Sequence, residues 1–417
     1  MEIIQTVIGK LINKMSVGLL ILFLSAIYFV WTAGLGNAQA LFLYDNSAQF
    51  VTFGIVILFI LNVYKGRRAD FIFLAAAMLI YFLFDHFREV RASSMNVDLL
   101  IPLIIVFCLT VKWIQFDKLD RSIFILVCYV FLGITLYRIF TEIKIPDGES
   151  IWLPDNKVSD IWINTNTIGS TLMTLSLLIS GFASLFERWY VRVFVGFPSV
   201  IAGIIGIWVC QSKGALVAMI VFVLLDIWPK QLFKIIRAPF LAYMIVTIFA
   251  LPVSYLAAHS EHLNLFTGRE EIWLKFYETI SEKSEQVWVG MKPFIFQRGN
   301  QFLGNHNSYN SFLNLYGLLG VIIAGVLVLI YVGRLTLKAD LSNGQVTFLW
   351  AFFAVMIQSF MEDTLTSFPW VPIIYLLLGM ASHRYDDLKN VASKRKIANQ
   401  QTRETTDGSL SRVARRH

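Results

Sequence analysis

Apolar runs separated by short polar breaks dominate this chain. They recur at residues 16–36, 47–64, 69–84, 98–115, 122–138, 164–185, 193–210, 214–228, 239–258, 310–333, 344–361 and 369–382. A helix needs roughly 17 to 25 predominantly apolar residues to cross the hydrocarbon core of a bilayer, where it must satisfy its own backbone N–H and C=O groups. The pattern therefore predicts an all-α polytopic membrane protein with about 12 transmembrane helices. No small-residue cleavage site follows a short apolar stretch near the start, so residues 16–36 are expected to be a first span and not a removed signal. Residues 1–383 form the membrane domain. Residues 384–417, with "SKRK" and "RVARRH", form a basic tail predicted to be disordered.

The polar breaks carry the orientation. Of the 35 lysines and arginines, most fall on one side when the ends of the spans are numbered alternately. That side collects Lys10, Lys14, Lys65, Arg67, Arg68, Lys112, Lys118, Arg121, Arg188, Arg192, Lys230, Lys234, Arg237, Arg334, Lys338 and the tail. A basic excess marks the cytoplasmic side, so both termini are expected inside. The tail then enforces topology and meets anionic lipid.

Composition agrees with this pattern. The chain is 57% hydrophobic and 15% charged, against about 25% charged in a soluble protein. The net charge of +7 does not indicate a nucleic-acid partner, because the basic residues sit between apolar segments and in the tail. The three cysteines, Cys108, Cys128 and Cys210, lie inside apolar runs without CxxC spacing, which argues against a disulfide framework or a zinc site. The six histidines do not cluster at ligand spacing, and no metal is expected.

Two outer loops are long, residues 139–163 and 259–309. Long loops commonly carry function. In the second, "GREEIWLKFYETISEKSEQVW" has helical character. Ile272, Phe276 and Ile280 share one face, as in an amphipathic helix lying on the membrane surface. The outer side also gathers the candidate chemistry. In "GNHNSYNSFLNLYGLLG", His306 stands among amides and precedes an apolar run. If helix began near it, Gly317 would lie about 20° and Gly320 about 40° from it around the axis, below the histidine on a face open to close approach. Two readings stand open there: a helix start with amide caps, or a base at the membrane surface. Arg269 in "FTGREEIW" is suited to phosphate or to a surface ion pair. Lys213 in a short outer turn is suited to an outward pocket or to snorkelling. Arg88 and Arg91 are further outer cations. Asn164, Asn166, Thr167, Ser170, Thr171 and Thr174 occupy the outer end of one span, and Glu362 and Asp363 that of another. Two readings stand open for this pair: an interface carboxylate pair, or a group that orients His306 or a sugar. No P-loop, GxSxG, HExxH or DxD-like nucleotide-sugar motif is present.

An outward histidine, cations, amides and carboxylates at a membrane surface suit transfer of a glycan from a lipid diphosphate to a hydroxyl. Histidine can take the hydroxyl proton near neutral pH. Arg269 and Lys213 can meet the charge developing on the leaving diphosphate without a metal.

"HNSYNSFLNLYGLLG" also resembles the motif of bacterial O-antigen ligases: His, then Asn, Ser or Gln, nine residues, Gly, two residues, then Gly, Thr or Tyr. His306, Asn307, Gly317 and Gly320 fill it in order. "GREEIW" looks like the family's loop arginine element. "SKGALVA" resembles its "SRGAL" element, with Lys213 where arginine is more usual. "NTNTIGS" is similar to its Asn-x-Asn element and contributes Asn166. The resemblance covers most of the chain as architecture and four short stretches as motif. It implies a metal-independent, inverting, GT-C-type glycosyltransferase in the inner membrane that needs no cofactor. The donor would be O-antigen on undecaprenyl diphosphate and the acceptor a sugar of lipid A–core, on the periplasmic side. His306 would be the general base and Arg269 and Lys213 the diphosphate ligands. Asn307, Asn166, Arg88, Glu362 and Asp363 are the remaining candidate substrate contacts, and Gly317 and Gly320 the motif's structural positions. An O-antigen polymerase or a protein oligosaccharyltransferase of the same superfamily is the nearest alternative. A transporter would instead place its polar residues on paired broken helices near the bilayer midplane.

Overall fold

The computed structural model describes residues 2–87, 95–142, 165–186, 188–260, 266, 268–299, 301–337 and 341–383. Arg88, Arg91, Asn164, most of the 139–163 loop and the tail lie outside the described residues. Among the described residues the fold is all-α apart from one small hairpin. In chain order the helices begin with α1 (Glu2–Ala33), α2 (Ala38–Asp45), α3 (Ser47–Asn62), α4 (Arg68–Phe87), α5 (Met95–Trp113), α6 (Lys118–Glu142) and α7 (Thr165–Ala183). Next, α8 (Trp189–Val191) runs through a π-helical turn into α9 (Phe197–Val209). Then come α10 (Lys213–Ile227), α11 (Lys230–Ile235), α12 (Ala238–Ala258), α13 (Arg269–Ser281) and α14 (Ser284–Val289). Strands β1 (Phe296–Arg298) and β2 (Gln301–Leu303) pair antiparallel before α15 (Ser308–Thr336), α16 (Asn343–Gln358) and α17 (Val371–Ala381).

Every segment read above as a span holds a helix. Among the described residues, 7 helices are long and apolar enough to cross a membrane, and two further apolar helices, Leu100–Trp113 and Phe368–Ala381, are shorter. The 7 differ in one respect that organises the bundle. In α7, 89% of the most apolar window is buried, whereas in α3, α12 and α15 only 28% is. α7 is also the least hydropathic of them. It carries Ser170, Thr171, Thr174, Ser176 and Ser180, all buried, and it packs against α1, α6, α9, α10, α16 and α17. A helix studded with hydroxyls is costly against lipid, so it takes the centre, where its hydroxyls find carbonyls. Ser170, Thr171 and Thr174 bond back to Asn166, Thr167 and Ser170 at 2.8–2.9 Å. Ser176 donates across to the Ser199 carbonyl at 2.9 Å.

Two expectations for the second long loop need correction. The apolar face of α13 does not lie on a membrane surface. Ile272, Trp273, Phe276, Tyr277 and Ile280 are buried and pack with Ala257 and Ala258 of α12, Met291 and Leu313. Helical periodicity shows that a face is buried, and protein covers this one. Nor does one helix run unbroken from His306 past Gly317. His306 has φ +47° and lies outside α15, which starts at Ser308. Gly317 has φ 63° and ψ −177° and interrupts α15. The angular relation of His306 to Gly317 and Gly320 therefore does not hold.

Gly317 does permit a close approach, by the backbone of a loop. A Cβ there would lie 2.3 Å from the Trp288 carbonyl oxygen and 2.4 Å from the Val289 nitrogen. Gly290, at φ +90°, meets the Leu315 carbonyl in the same way. The Met291 N–H donates to the Asn314 carbonyl at 2.7 Å. α14 is thus docked backbone to backbone on the break in α15, and Gly320 is buried in the next turn. Gly317→Ala meets both a left-handed φ and this contact, at a cost on the order of 2 kcal/mol or more. We expect it to lower the thermal unfolding midpoint of the detergent-solubilised protein by several degrees. Gly133→Ala, whose Cβ meets nothing within 4 Å, should leave that midpoint unchanged or raised.

Candidate functional site

His306 is held in its uncommon backbone conformation from both sides. The Asn305 carbonyl accepts from Trp273 Nε1 of α13 at 2.9 Å. The His306 N–H donates to Asp363 Oδ2 at 3.1 Å. Asn307 caps α15, its side-chain oxygen accepting from the Tyr309 and Asn310 N–H groups at 2.9 and 3.2 Å. Its amide nitrogen donates to Ser254 Oγ at 3.4 Å. A non-glycine residue at positive φ persists when its surroundings over-determine it, and here three successive residues are tied down. Asn307 is fully buried by this capping. Its side chain supports the site from within through these contacts.

The side chains converge on Glu362. Arg269 Nη2 donates to Glu362 Oε1 at 2.8 Å, and His306 Nδ1 lies 3.9 Å from Glu362 Oε2. Arg269 is the first residue of α13, entered through Gly268 at φ +78°, so one tight turn aims the guanidinium at the loop after α16. The side chains of Arg269, Glu362 and His306 are 12, 13 and 28% exposed, which leaves the imidazole as the group most open to solvent. Asp363 lies behind, accepting from Ser311 Oγ at 2.5 Å through the oxygen that does not hold the His306 N–H.

These neighbours set the proton affinities. The Glu362 carboxylate raises the His306 pKa above the ordinary histidine value, burial opposes it, Asp363 adds to it and Arg269 subtracts. Burial pushes Asp363 above the ordinary carboxylate value, against the Ser311 hydrogen bond and the His306 charge.

A chain of hydrogen bonds ties the site to the central helix. Ser308 Oγ donates to the Glu362 carbonyl at 2.8 Å and accepts from the Leu365 N–H at 3.1 Å. The Ser308 N–H donates to the Ser359 carbonyl at 2.9 Å. Ser359 and Thr364 share a hydroxyl contact of 2.7 Å, and Thr364 donates to Gln358 Oε1 at 2.8 Å. Gln358 Nε2 then donates to Ser170 Oγ of α7 at 2.8 Å. Asn166 belongs to this path through its carbonyl, which accepts from Ser170. Lys213 stands exposed at the first turn of α10. Its neighbour Gly214 lies against Met361, a Cβ there falling 3.1 Å from the Met361 Cβ. Lys213 and Asn166 are therefore at the same end of the bundle, while His306, Arg269, Glu362 and Asp363 form the contacting cluster. Arg88 is outside the described residues. Trp273, Ser308, Ser311, Gln358, Ser359 and Thr364 were not singled out from the sequence. Only Ser308 and Ser311, one helical turn apart beside His306, had a spacing that could have marked them.

Among the described residues no three His, Cys, Asp or Glu side chains gather as metal ligands, and the three cysteines are buried free thiols. What the cluster offers is an imidazole backed by a carboxylate, with a guanidinium beside it. That combination can accept a proton and hold an anion. No family model matches the chain, and no curated protein matches it.

The folded-state pKa of His306 is raised, so the stabilisation from its imidazolium is fully present below about pH 6.5, the unperturbed value. It is lost as pH rises through the folded value. In protein labelled at histidine, the His306 ring resonance, assigned by its loss in His306→Asn, should titrate above that of an unperturbed histidine. Glu362→Gln should move its midpoint to lower pH. An unchanged midpoint would show that Glu362 does not set this proton affinity.

Proposed function

We propose that the chain is an O-antigen ligase: a metal-independent, inverting glycosyltransferase of GT-C type with about 12 spans and both termini cytoplasmic. In this reading the site faces the periplasm from the inner membrane. It moves O-antigen polysaccharide from undecaprenyl diphosphate to a sugar hydroxyl of lipid A–core. The observation that carries the proposal is the meeting of His306 and Arg269 on Glu362. These two residues come from separate motif stretches, 37 positions apart, and the reaction asks one for a base and the other for an anion ligand.

In this reading the two ring nitrogens have different tasks. Nδ1 faces Glu362, so the neutral tautomer carries its proton there and leaves Nε2 to accept. The acceptor hydroxyl gives its proton to Nε2 as its oxygen attacks the anomeric carbon. The bond from that carbon to the diphosphate oxygen breaks, and its electron pair leaves on the diphosphate. Arg269 is already engaged by Glu362 through Nη2. A guanidinium has five N–H donors, so the same group can hold Glu362 and meet the leaving charge. Lys213, exposed at the start of α10, would add a point charge in this reading and lacks arginine's planar fork.

The test is transfer by purified protein from lipid-linked glycan to lipid A–core. His306→Ala should lose about 100-fold or more of the rate, the scale of general-base catalysis. Arg269→Ala should lose more activity than Arg269→Lys. Full activity in both Arg269 variants would remove its phosphate role, and a His306→Ala enzyme as fast as wild type would end the reading of His306 as base. In cells, loss of a ligase leaves bare core and accumulated lipid-linked polymer. Core carrying at most one unit would indicate a polymerase instead.

A further inference from the structure

The bundle has a second polar feature at its far end. α7 and α10 begin beside the His306 site and α16 ends there. Ser180, Asp226 and Asn343 therefore lie a helix length away, roughly 20 Å at 1.5 Å per residue. These three line a cavity of about 450 Å³ together with Arg192, Trp228 and Lys230. Its polar wall is an ion triad. Arg192 Nη2 donates to the Asp226 carbonyl at 2.7 Å and to Oδ2 at 2.5 Å. Lys230 Nζ donates to Asp226 Oδ1 and to Thr347 Oγ1. Two cations share one carboxylate, so the triad carries one surplus positive charge. Lys230 is only 5% exposed. The Arg192 side chain, 34% exposed, presents the surplus charge to the cavity, where an anion can complete it.

The rest of the cavity shows what kind of anion fits. Trp189 and Trp228, 73% and 55% exposed, stand among its lining residues. Exposed indoles on membrane proteins concentrate at headgroup level. From that opening, exposed apolar side chains continue along both flanking helices. Phe197, Ile201 and Ile205 follow one face of α9, and Ile220, Leu224 and Ile227 follow α10. A soluble anion has no use for these two rows, whereas acyl chains do.

We propose that this cavity binds the phosphodiester headgroup of an anionic membrane phospholipid. The phosphate sits against Arg192 and Lys230, and the acyl chains lie along the α9 and α10 rows. One phosphodiester charge neutralises the triad. A choline headgroup would bring a further cation to a site that already has one in excess.

The experiment uses the full chain in nanodiscs of phosphatidylcholine, with and without phosphatidylglycerol. Phosphatidylglycerol should raise the unfolding midpoint, as expected for a ligand that binds the folded state. Native mass spectrometry should find it retained in preference to phosphatidylcholine. Arg192→Gln should cut that retention by about tenfold, the scale of one charge-assisted contact, and abolish the increment in midpoint. Val223→Trp fills the cavity and leaves the triad in place. It should do the same, and it decides the question if Arg192→Gln does not fold. Inorganic phosphate added to phosphatidylcholine discs should give no increment. Equal midpoints in the two lipids would overturn the proposal, as would an increment that survives Val223→Trp. An increment from inorganic phosphate as large as that from phosphatidylglycerol would overturn the lipid as ligand.

Discussion

Gln358 reaches from the end of α16 to Ser170 in the middle of the bundle, and the position of the candidate site follows from that contact. A polar group in an apolar interior must find a partner or lose on the order of 1–3 kcal/mol. α7 brings several such groups to the centre at once. Its need for partners is met partly by its own carbonyls and partly by α9 and α16. Once Gln358 is fixed to Ser170, its carbonyl oxygen holds Thr364, Thr364 holds Ser359, and the Ser359 carbonyl holds the first turn of α15. His306 precedes that turn and Glu362 lies between Ser359 and Thr364. The surface constellation is therefore the outer end of a network whose root is in the core.

Close packing lets that network exist. Gly203 leaves room for Ser176, where a Cβ would fall 2.2 Å from the hydroxyl, and Gly181 leaves room for the Phe348 ring. Small residues bring helices near enough for side-chain hydrogen bonds to span them. The same device recurs at Gly317 and Gly290, where a loop segment takes the place of a helix. That contact holds α14 against the helix that follows His306.

Much of this was legible in the sequence. Apolar runs mark every span-sized helix, because a bilayer demands length and low polarity together. The motif stretches around His306 and Arg269 were visible, as was the Glu362–Asp363 pair; Arg269 and His306 meet on Glu362, and Asp363 holds the His306 N–H. The partition of roles among them was not legible. That Asn307 is consumed as a cap, that Glu362 is shared between Arg269 and His306, and that Asp363 holds a backbone N–H all depend on segments far apart in the chain. The left-handed backbone at His306 leaves no trace in periodicity, and neither does the break at Gly317. For α13, periodicity located the buried face correctly and could not say whether lipid or protein would cover it. The central place of the polar α7 was not legible either, because composition alone does not reveal which helix stands at the centre.

Glu362 divides one negative charge between two cationic partners, and that division links their behaviour. An anion settling on Arg269 draws the guanidinium's field toward itself and leaves the carboxylate's pull on the imidazole less opposed. The proton affinity of His306 then rises as the anion arrives. By reciprocity, a protonated His306 strengthens the hold on that anion by the same free energy. With an anion bound there, the arrangement would behave as a two-site linkage, in which occupancy by negative charge and basicity of the ring increase together and fall together when the charge departs.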